Sequence, residues 1–346
     1  MQQQLIAASD AAAWMAALDA FPYIDVCHLP DYHCAYATRF EGAEAWLWAV
    51  SDGSNYFAYP FLKAPVVIAG DATGYSDIFG VYGYSGPLAK GDDAFIAQAW
   101  EAFTAWAKEE KILCEFIRFS PYLENYNLAL LGVEVLENRQ VAMCHVPASE
   151  EALLQALGPK TRNMLRKAEK AGLCAEEMKL PEGLAAFRAL YDSTMQRNDA
   201  TEFFLYDNTY YDLLLAMPKG AVRLFGVYAD AQLVSTAMVL VWQENALYHL
   251  GASEGEYTKL GAGNLALFEM HKALMKAGVK FVNLTGGRTT ALDDPLLRFK
   301  KSNGTGLCPF YIGKRVLDET GYAEVAKAWE SAYNQPADKT KLQFYR

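Results

Sequence analysis

One order of predicted elements occurs twice along the chain, and this repeat constrains the fold more than any other feature. In the second half, the β-rich runs Val222 to Tyr228 and Leu233 to Trp242 flank a short turn that predicts a hairpin. A third strand, Ala246 to Leu250, is followed by a glycine-rich stretch and an amphipathic helix that ends before Gly278. The strand Val279 to Leu284 completes the unit.

The first half shows the same order. Strands Ala45 to Val50 and Tyr56 to Leu62 flank a Ser-Asp-Gly-Ser-Asn turn. A glycine-rich stretch from Gly80 to Pro87, the helix Ala94 to Lys108 and the strand Leu113 to Phe119 follow. Since hairpin, helix and strand are a common sequence of elements, an unrelated recurrence stays an alternative to a true repeat.

The repeat predicts an α/β fold with mixed sheets, built as two similar domains packed together. A chain of 346 residues also exceeds the usual size of a single hydrophobic core. No proline- or serine-rich linker separates the copies, and we set the predicted domains at 1–145 and 146–346.

Charge is distributed unevenly between the two predicted domains. The formal net charge is -10, but residues 1–145 hold 7 basic and 18 acidic residues, whereas residues 146–346 hold 24 and 23. A protein that coats nucleic acid needs clustered Lys and Arg, so DNA is not an expected partner. The near-neutral second half can still hold a local site for a phosphate-bearing ligand.

The cysteines and the hydropathy pattern predict a cytoplasmic protein. None of the six cysteines forms a C-x-x-C pair, and reduced thiols are typical of the cytosol. The N-terminus lacks the basic segment of a signal peptide, and no apolar window approaches 18 residues. The cluster from Cys27 to Cys34 lacks the ligand spacing of a zinc site, and we expect no metal.

Residues 149–171 are strongly helical and contain the clearest basic feature of the chain. Arg162, Arg166 and Lys170 are four residues apart and share one helical face, with Lys167 beside it. Arg162, Arg166 and Lys167 are therefore candidates for binding an anionic substrate.

A second candidate site is the passage from Tyr257 to Asn264, between a strand and a helix. Its Gly261-Ala-Gly263 lets backbone N–H groups approach an anion at the positive end of a helix dipole. The candidate cofactor-binding residues are Thr258, Lys259, Gly261, Gly263 and Asn264. A tight turn that merely enters a helix explains the pattern equally well, and the Rossmann fingerprint is absent.

The third candidate lies where the strand Val279 to Leu284 ends. Gly286 and Gly287 leave room for a ligand beside Arg288, so these three are candidate substrate contacts. Farther on, Lys300 could hold a phosphate or neutralise the charge of an acyl-transfer transition state. A solvated basic loop is the alternative.

His249 lies between Tyr248 and Leu250 in a predicted strand and is a possible general base. A hydrogen-bonded structural histidine is at least as common in such a position. No nucleophile elbow or Walker loop occurs in the chain.

In order along the chain, these pieces resemble the FemAB-like branch of the GNAT acyltransferase superfamily, whose members carry tandem GNAT domains. The resemblance spans roughly residues 75–320. The matching segments are Tyr82-Gly-Tyr84-Ser-Gly-Pro87, Ile117 to Pro121, Arg162 to Gly172, Tyr191 to Met195, Tyr248 to Gly251, Leu260 to Asn264, Leu284 to Gly287 and Arg298-Phe-Lys300. Tyr84 joins the candidate substrate-binding residues through this match.

The resemblance implies transfer of an acyl or aminoacyl group to an amine of a cell-envelope precursor. A Phe-Lys pair similar to Phe299-Lys300 belongs to the reaction centre of Fem-type ligases. For the transfer itself we expect the backbone near Gly251 and the Lys300 ammonium to stabilise the oxyanion. Asp294, His249 and Tyr257 are the candidates for relaying the amine proton.

The donor is less well defined. GNAT loops of the Q/R-x-x-G-x-G/A type bind the pyrophosphate of acyl-CoA, but Thr258 stands in the Gln or Arg place. We expect acyl-CoA, with acetyl-CoA favoured, because the acidic chain disfavours a large polyanion such as tRNA. An aminoacyl-tRNA-dependent ligase of peptidoglycan bridges and a silent nucleotide-sugar-binding module are the alternatives.

The expected acceptor follows from the same resemblance. Related two-domain proteins occur in polysaccharide gene clusters, so a nucleotide-linked or lipid-linked amino sugar, or a peptide precursor, is expected. The implied processes are cell wall, peptidoglycan and polysaccharide biosynthesis.

Overall fold

A computed structural model describes residues 1–346 and divides the chain into two compact units. Unit 1 comprises Met1–Asn138 and Phe310–Arg346, and unit 2 comprises Arg139–Pro309. The predicted domains 1–145 and 146–346 differ from these units in one main respect, which is the assignment of the C-terminal segment to unit 1.

Unit 1 contains a mixed sheet in the order β1-β2-β3-β4-β6-β13, with β5 paired to β3. All neighbours are antiparallel except the parallel pair β4 and β6. The elements are β1 (Gln2–Ala7), α1 (Ala11–Leu18), α2 (Pro30–Ala37), β2 (Glu44–Ser51), β3 (Tyr56–Ile68), β4 (Asp71–Phe79), β5 (Leu88–Lys90), α3 (Asp93–Glu109), β6 (Ile112–Arg118), residues 310–316 of β13 (Gly306–Val316) and α11 (Glu319–Tyr333).

The helix α3 packs one apolar face on the sheet of unit 1. Phe95, Ala99, Trp100 and Phe103 recur at three- and four-residue spacing and are all buried. Trp100 and Phe103 stack with ring centroids 5.1 Å apart. The predicted helix Ala94 to Lys108 is confirmed to within a residue at each end.

The C-terminal segment belongs to unit 1 because it packs there. Phe344 is buried in a cluster with Val66, Leu113 and Val325 of α11. The guanidinium of Arg346 forms an ion pair with Asp77, whose side chain is fully buried. These contacts are made far from their sequence neighbours, which is why a boundary read along the sequence leaves them in the second domain.

Unit 2 contains a second mixed sheet, in the order β7-β12-β11-β10-β9-β8, with β11 and β12 parallel and the other neighbours antiparallel. Its elements are residues 139–145 of β7 (Glu134–His145), α4 (Glu150–Ala156), α5 (Pro159–Lys170), β8 (Cys174–Met178), α6 (Leu184–Arg197), α7 (Asn208–Leu215), β9 (Val222–Ala229), β10 (Gln232–Trp242), β11 (Asn245–Ser253), α8 (Gly255–Thr258), α9 (Ala262–Lys276), β12 (Phe281–Thr285) and α10 (Pro295–Ser302).

The core of unit 2 lies between its sheet and α9. Ala266, Met270 and Leu274 of α9 are buried together with Phe225 and Val239 of the central strands. The predicted helical passage 149–171 forms two helices, α4 and α5, since Pro159 begins a new helix after Gly158.

The predicted repeat is confirmed by the two sheets. In unit 1, three antiparallel strands (β2, β3, β4) are followed by α3 and the parallel strand β6, and in unit 2 β9, β10, β11, α9 and β12 follow the same order. Each unit takes its last strand from elsewhere in the chain: residues 312–316 pair with β6, and residues 142–145 pair with β12. No helix is both long enough and apolar enough to span a bilayer.

Candidate active site

The sheet of unit 2 opens between its two parallel strands. Only Asn245, Ala246 and Leu247 of β11 pair with β12, although β11 continues to Ser253. β12 is the neighbour of β11 on this side, so the backbone of residues 248–253 forms an edge inside the sheet. Such an edge offers N–H and C=O groups to a ligand.

β11 also contains a β-bulge at this opening. Met238 of β10 pairs with Leu250, but the next residue, Val239, pairs with Tyr248, which leaves His249 as the extra residue. An extra residue reverses the alternation of side chains, so Tyr248 and Gly251 face the same side of the strand. A Cβ atom at Gly251 would overlap the Tyr248 hydroxyl.

The α9 helix begins at the end of this opening. Gly261 has a φ of +90° and precedes the helix, which has neither a side-chain cap nor an acidic residue in its first turn. A Cβ at Gly261 would overlap the carbonyl oxygen of Met164 in α5, so only glycine fits. The start of α9 therefore keeps its backbone donors and its positive dipole end available for an anion.

The basic residues of α5 differ in their contacts. Lys167 Nζ donates a 2.6 Å hydrogen bond to the carbonyl oxygen of Lys259, so it supports the loop before α9. Arg162 and Arg166 instead line a cavity of about 980 Å³. Arg162 donates to the carbonyl oxygens of Leu154, Gln155 and Leu157 and so caps α4. Arg162 and Arg166 thus share one face, as their spacing predicts, and Lys167 lies beside it.

Lys300 is the central charged group of the site. Its Nζ donates to Thr285 Oγ1 at 2.5 Å and to the carbonyl oxygen of Gly286 at 2.8 Å. The ammonium also lies 5.7 Å from the centre of the Tyr248 ring. Burial lowers the pKa of Lys300 to about 7, although the charge of Asp294 raises it.

Thr285 and Tyr248 were not among the predicted site residues. Thr285 ends β12 with a φ of 66°, which is unusual for a β-branched residue, and so aims its hydroxyl at Lys300. Burial raises the pKa of Tyr248 to about 12. The sequence signal for both is their place beside predicted residues: Thr285 directly precedes Gly286, and Tyr248 directly precedes His249.

Asp294 acts on the helix that carries Lys300. Its carboxylate accepts hydrogen bonds from the backbone N–H groups of Leu296, Leu297 and Thr289 and thus caps α10. Burial opposes ionisation, but these bonds lower the pKa of Asp294 to about 2. A Cβ at Gly287 would overlap this carboxylate. The predicted pair Gly286 and Gly287 therefore serves the position of Lys300.

The other predicted residues near α10 are structural neighbours of the site. Phe299 packs against the first turn of α9, where a Cβ at Gly263 would lie 3.3 Å from its ring. Asn264 is buried and donates a 3.1 Å hydrogen bond to Asn303 Oδ1, so its amide is occupied within the protein. These contacts join α9 to α10.

His249 lies on the other side of β11 from Lys300. Its Nε2 is 2.8 Å from the hydroxyl of Tyr210 in α7. Burial lowers the pKa of His249 to about 3, so the imidazole is neutral at physiological pH. This environment is that of a hydrogen-bonded structural histidine, the alternative considered for His249.

The remaining predicted residues lie at the rim of unit 2 or in unit 1. Tyr257 is half-buried in α8, and the Thr258 hydroxyl donates to the carbonyl oxygen of Glu254 at 3.2 Å. Arg288 is exposed beyond β12. Tyr84 belongs to unit 1, where it is buried and packs edge-on against Phe310 with centroids 4.9 Å apart.

The equivalent region of unit 1 lacks these features. The parallel ladder of β4 and β6 continues past the strand end, where the N–H of Gly80 donates to the carbonyl oxygen of Phe116. The start of α3 is capped by the carboxylate of Asp92 and followed by Asp93. Two carboxylates at a helix start disfavour an anion. No group of three or more His, Cys, Asp or Glu side chains is arranged to hold a metal ion in either unit.

Comparison with known protein families finds a match within the second unit. Residues 159–301 match the model of the acetyltransferase (GNAT) domain. This part of unit 2 is similar to GNAT domains. The match contains every candidate residue described above for unit 2, from Arg162 to Lys300. No curated protein matches the chain.

Solved structures extend the likeness to nearly the whole chain. FemX is 18% identical over 94% of this chain and 99% of its own, with a TM-score of 0.70. The C-terminal domain of a putative lysylphosphatidylglycerol synthetase from Agrobacterium fabrum is 15% identical, covering 93% and 96%, with a TM-score of 0.59. A tandem GNAT protein from the clavulanic acid biosynthesis pathway is 12% identical, covering 92% and 100%, with a TM-score of 0.51.

These findings confirm the predicted α/β fold with two tandem GNAT-like halves. The match to the GNAT model over residues 159–301 supports the GNAT part of the predicted resemblance, and the likeness to FemX supports a fold of the FemAB-like type.

Proposed function

We propose that the GNAT domain of unit 2 transfers an acyl group from acyl-CoA to an amine of a cell-envelope precursor. The observation that carries this proposal is that three features occur together in unit 2. They are an opened strand edge, a helix start without a side-chain cap, and a buried lysine. The edge is residues 248–253 of β11, the helix is α9, and the lysine is Lys300.

The start of α9 is the proposed site of the donor's pyrophosphate. Its N–H groups and dipole attract an anion without any side chain, which compensates for Thr258 in the Gln or Arg place. Lys167 stabilises this loop through the carbonyl oxygen of Lys259. Unit 1 has Asp92 and Asp93 at the equivalent helix, so we propose a single donor site in the chain.

The opened edge of β11 is the proposed site of the reacting carbonyl. A neutral amine attacks the thioester carbon, and the carbonyl oxygen becomes an oxyanion that needs preorganised donors. Backbone N–H groups near Gly251 and the Lys300 ammonium supply them. The thiolate of CoA then leaves, and the amine nitrogen loses its proton to solvent. Positioning of the two reactants supplies much of the rate.

Asp294 has a supporting part in this proposal, as the cap that orients α10 and Lys300. His249 is neutral over the physiological range, and its proposed part is structural. Tyr257, at the rim, stays a candidate for the proton relay.

The proposed acceptor is a nucleotide-linked or lipid-linked amino sugar, or a peptide precursor with a free amine. The fold likeness to FemX and to a putative lysylphosphatidylglycerol synthetase domain supports an acceptor of the cell envelope. All six cysteines are free, which agrees with reaction in the cytoplasm, where acyl-CoA is available.

The test uses the purified full chain with acetyl-CoA or aminoacyl-tRNA as donor and a panel of UDP-linked amino sugars and lysine-containing peptides as acceptors. Mass spectrometry of the acceptors is expected to show acetylation, dependent on both substrates. Aminoacylated acceptors instead would make the chain a Fem-type ligase. Stabilisation by an acceptor in a thermal-shift assay, with no product from either donor, would make it a binding module.

A further inference from the structure

We propose that Tyr210 is a positioning residue, whose hydrogen bond to His249 fixes the bulge of β11 and so holds Tyr248 beneath the Lys300 ammonium. This inference rests on the proposed function for its kinetic consequences. The structural consequences can be measured without any turnover.

The bulge determines which side chains face the reaction site. In a regular strand Tyr248 and Gly251 would point to opposite faces, because their separation is an odd number of residues. The extra residue His249 restores both to one face, where the Tyr248 hydroxyl lies against the Cα of Gly251. Loss of the bulge would put Tyr248 and Gly251 on opposite faces and so separate the Tyr248 hydroxyl from Gly251.

A hydrogen bond from Tyr210 reaches the extra residue, His249, from the opposite side of the sheet. Tyr210 is fully buried, and its hydroxyl lies 2.8 Å from His249 Nε2. The two rings lie nearly parallel, with centroids 6.1 Å apart. The backbone of Tyr210 is itself fixed, because its N–H donates to the helix-capping carboxylate of Asp207 at 2.8 Å. The capped first turn of α7 thus holds the Tyr210 side chain against the bulge.

The imidazole is suited to this task and unsuited to acid–base catalysis. Burial holds the pKa of His249 at about 3, so neither its charge nor its hydrogen bond changes over the physiological pH range. A neutral, buried hydrogen bond between two aromatic residues gives the bulge one defined geometry.

The pKa of Lys300 reports whether the Tyr248 ring keeps this position. The groups that face its ammonium are Asp294 on its own helix, the Tyr248 ring on β11, and the Thr285 hydroxyl and Gly286 carbonyl after β12. If the Tyr248 ring moves away, water enters and the ammonium is better solvated. The pKa of Lys300 then rises towards its ordinary value of 10.5.

The experiment compares the wild-type chain with Tyr210→Phe, which keeps the ring and removes the hydroxyl. Tyr211→Phe is the matched control, because it removes a buried hydroxyl from the same helix without touching His249. His249→Gln is the rescue variant, whose amide can still accept from the Tyr210 hydroxyl. ¹⁵N NMR of the lysine side chains gives the pKa of Lys300, with the signal assigned by its loss in Lys300→Ala.

For Tyr210→Phe we expect the pKa of Lys300 to rise by at least one unit, and kcat for acetyl transfer to fall about tenfold with KM for acetyl-CoA changed less than twofold. Tyr211→Phe is expected to keep wild-type values, and His249→Gln to lie nearer to wild type than His249→Leu. An unchanged pKa of Lys300 in Tyr210→Phe overturns the inference, whether or not the protein transfers acetyl groups. A wild-type chain that shows no transfer with any donor overturns the proposed function alone.

Discussion

Lys300 Nζ donates a 2.8 Å hydrogen bond to the carbonyl oxygen of Gly286, at the end of the strand that opens the sheet. The ammonium is thereby held at a fixed place in a buried setting, where its pKa is lowered from 10.5 to about 7. Such a lysine destabilises the folded state at every pH below 10.5, since the unfolded chain binds the proton more tightly.

This relationship predicts that Lys300→Met stabilises the protein most at pH 7 and below. Between pH 7 and 10.5 the gain over wild type should shrink by about 1.4 kcal/mol per pH unit, because wild-type Lys300 must release a proton on folding and that release becomes easier as the pH rises. Two lost hydrogen bonds subtract a constant of about 1–3 kcal/mol. Urea unfolding at several pH values measures the difference, with exposed Lys301→Met as control. A difference that does not change with pH would contradict the buried environment of Lys300.

The same pKa predicts the pH dependence of catalysis. If the Lys300 ammonium stabilises the oxyanion, kcat falls as the pH rises through about 7, because the charge is lost. In Lys300→Arg the guanidinium stays charged, so a slower enzyme without this descending limb is expected. The pH profile of kcat for both proteins is the measurement. A wild-type rate that rises through pH 7, with no such rise in Lys300→Arg, would identify Lys300 as a base instead.

The difference between the two helix starts predicts one donor site per chain. Isothermal titration with CoA should give a stoichiometry of one, and Gly263→Asp should weaken binding about tenfold by placing a carboxylate in the first turn of α9. Gly263→Ala is the steric control, and Ala94→Asp is the charge control at the equivalent helix α3. Weakened binding in Ala94→Asp would place the donor in unit 1.

The contacts of Arg162 predict a role in stability and not in ligand binding. Arg162→Ala removes the cap of α4 and should lower the free energy of unfolding by about 1–2 kcal/mol, with the dissociation constant for CoA unchanged. Exposed Arg166→Ala should change neither quantity. A large loss of CoA affinity in Arg162→Ala, at unchanged stability, would restore its predicted place in ligand binding.

Periodicity and turn residues were sufficient to predict the local elements of this fold. The hairpin of β9 and β10, the helix α9 and the strand β12 lie where the apolar pattern places them. The pairing of residues 312–316 with β6 and of residues 142–145 with β12 was not predictable. Hydrophobic alternation shows that a segment is a strand but not which sheet it joins. For the same reason residues 310–346 were assigned to the second domain.

Side-chain roles were predicted less completely, since they depend on what the fold brings together. Lys300 and Gly261 were predicted from short local segments, the Phe-Lys pair and the Gly-Ala-Gly before a helix. The bulge at His249 was not predicted, because it arises from pairing with β10. It changes which face of the strand the following side chains occupy, against the alternation of the sequence. The spacing of Arg162 and Arg166 predicts their shared face, but only the position of α4 shows that the Arg162 guanidinium donates to backbone carbonyl oxygens.

The most direct test of the account is the rate of CoA release from acetyl-CoA, which a thiol reagent detects. The rate is measured with and without an amine acceptor. The acceptor is one that mass spectrometry has shown to become acetylated. For wild type we expect release that depends on the acceptor, and for Lys300→Gln a rate lower by about 100-fold with an unchanged dissociation constant for CoA. Equal rates for the two proteins, or CoA release that does not depend on the acceptor, would contradict transfer to the acceptor amine with Lys300 as the stabilising group.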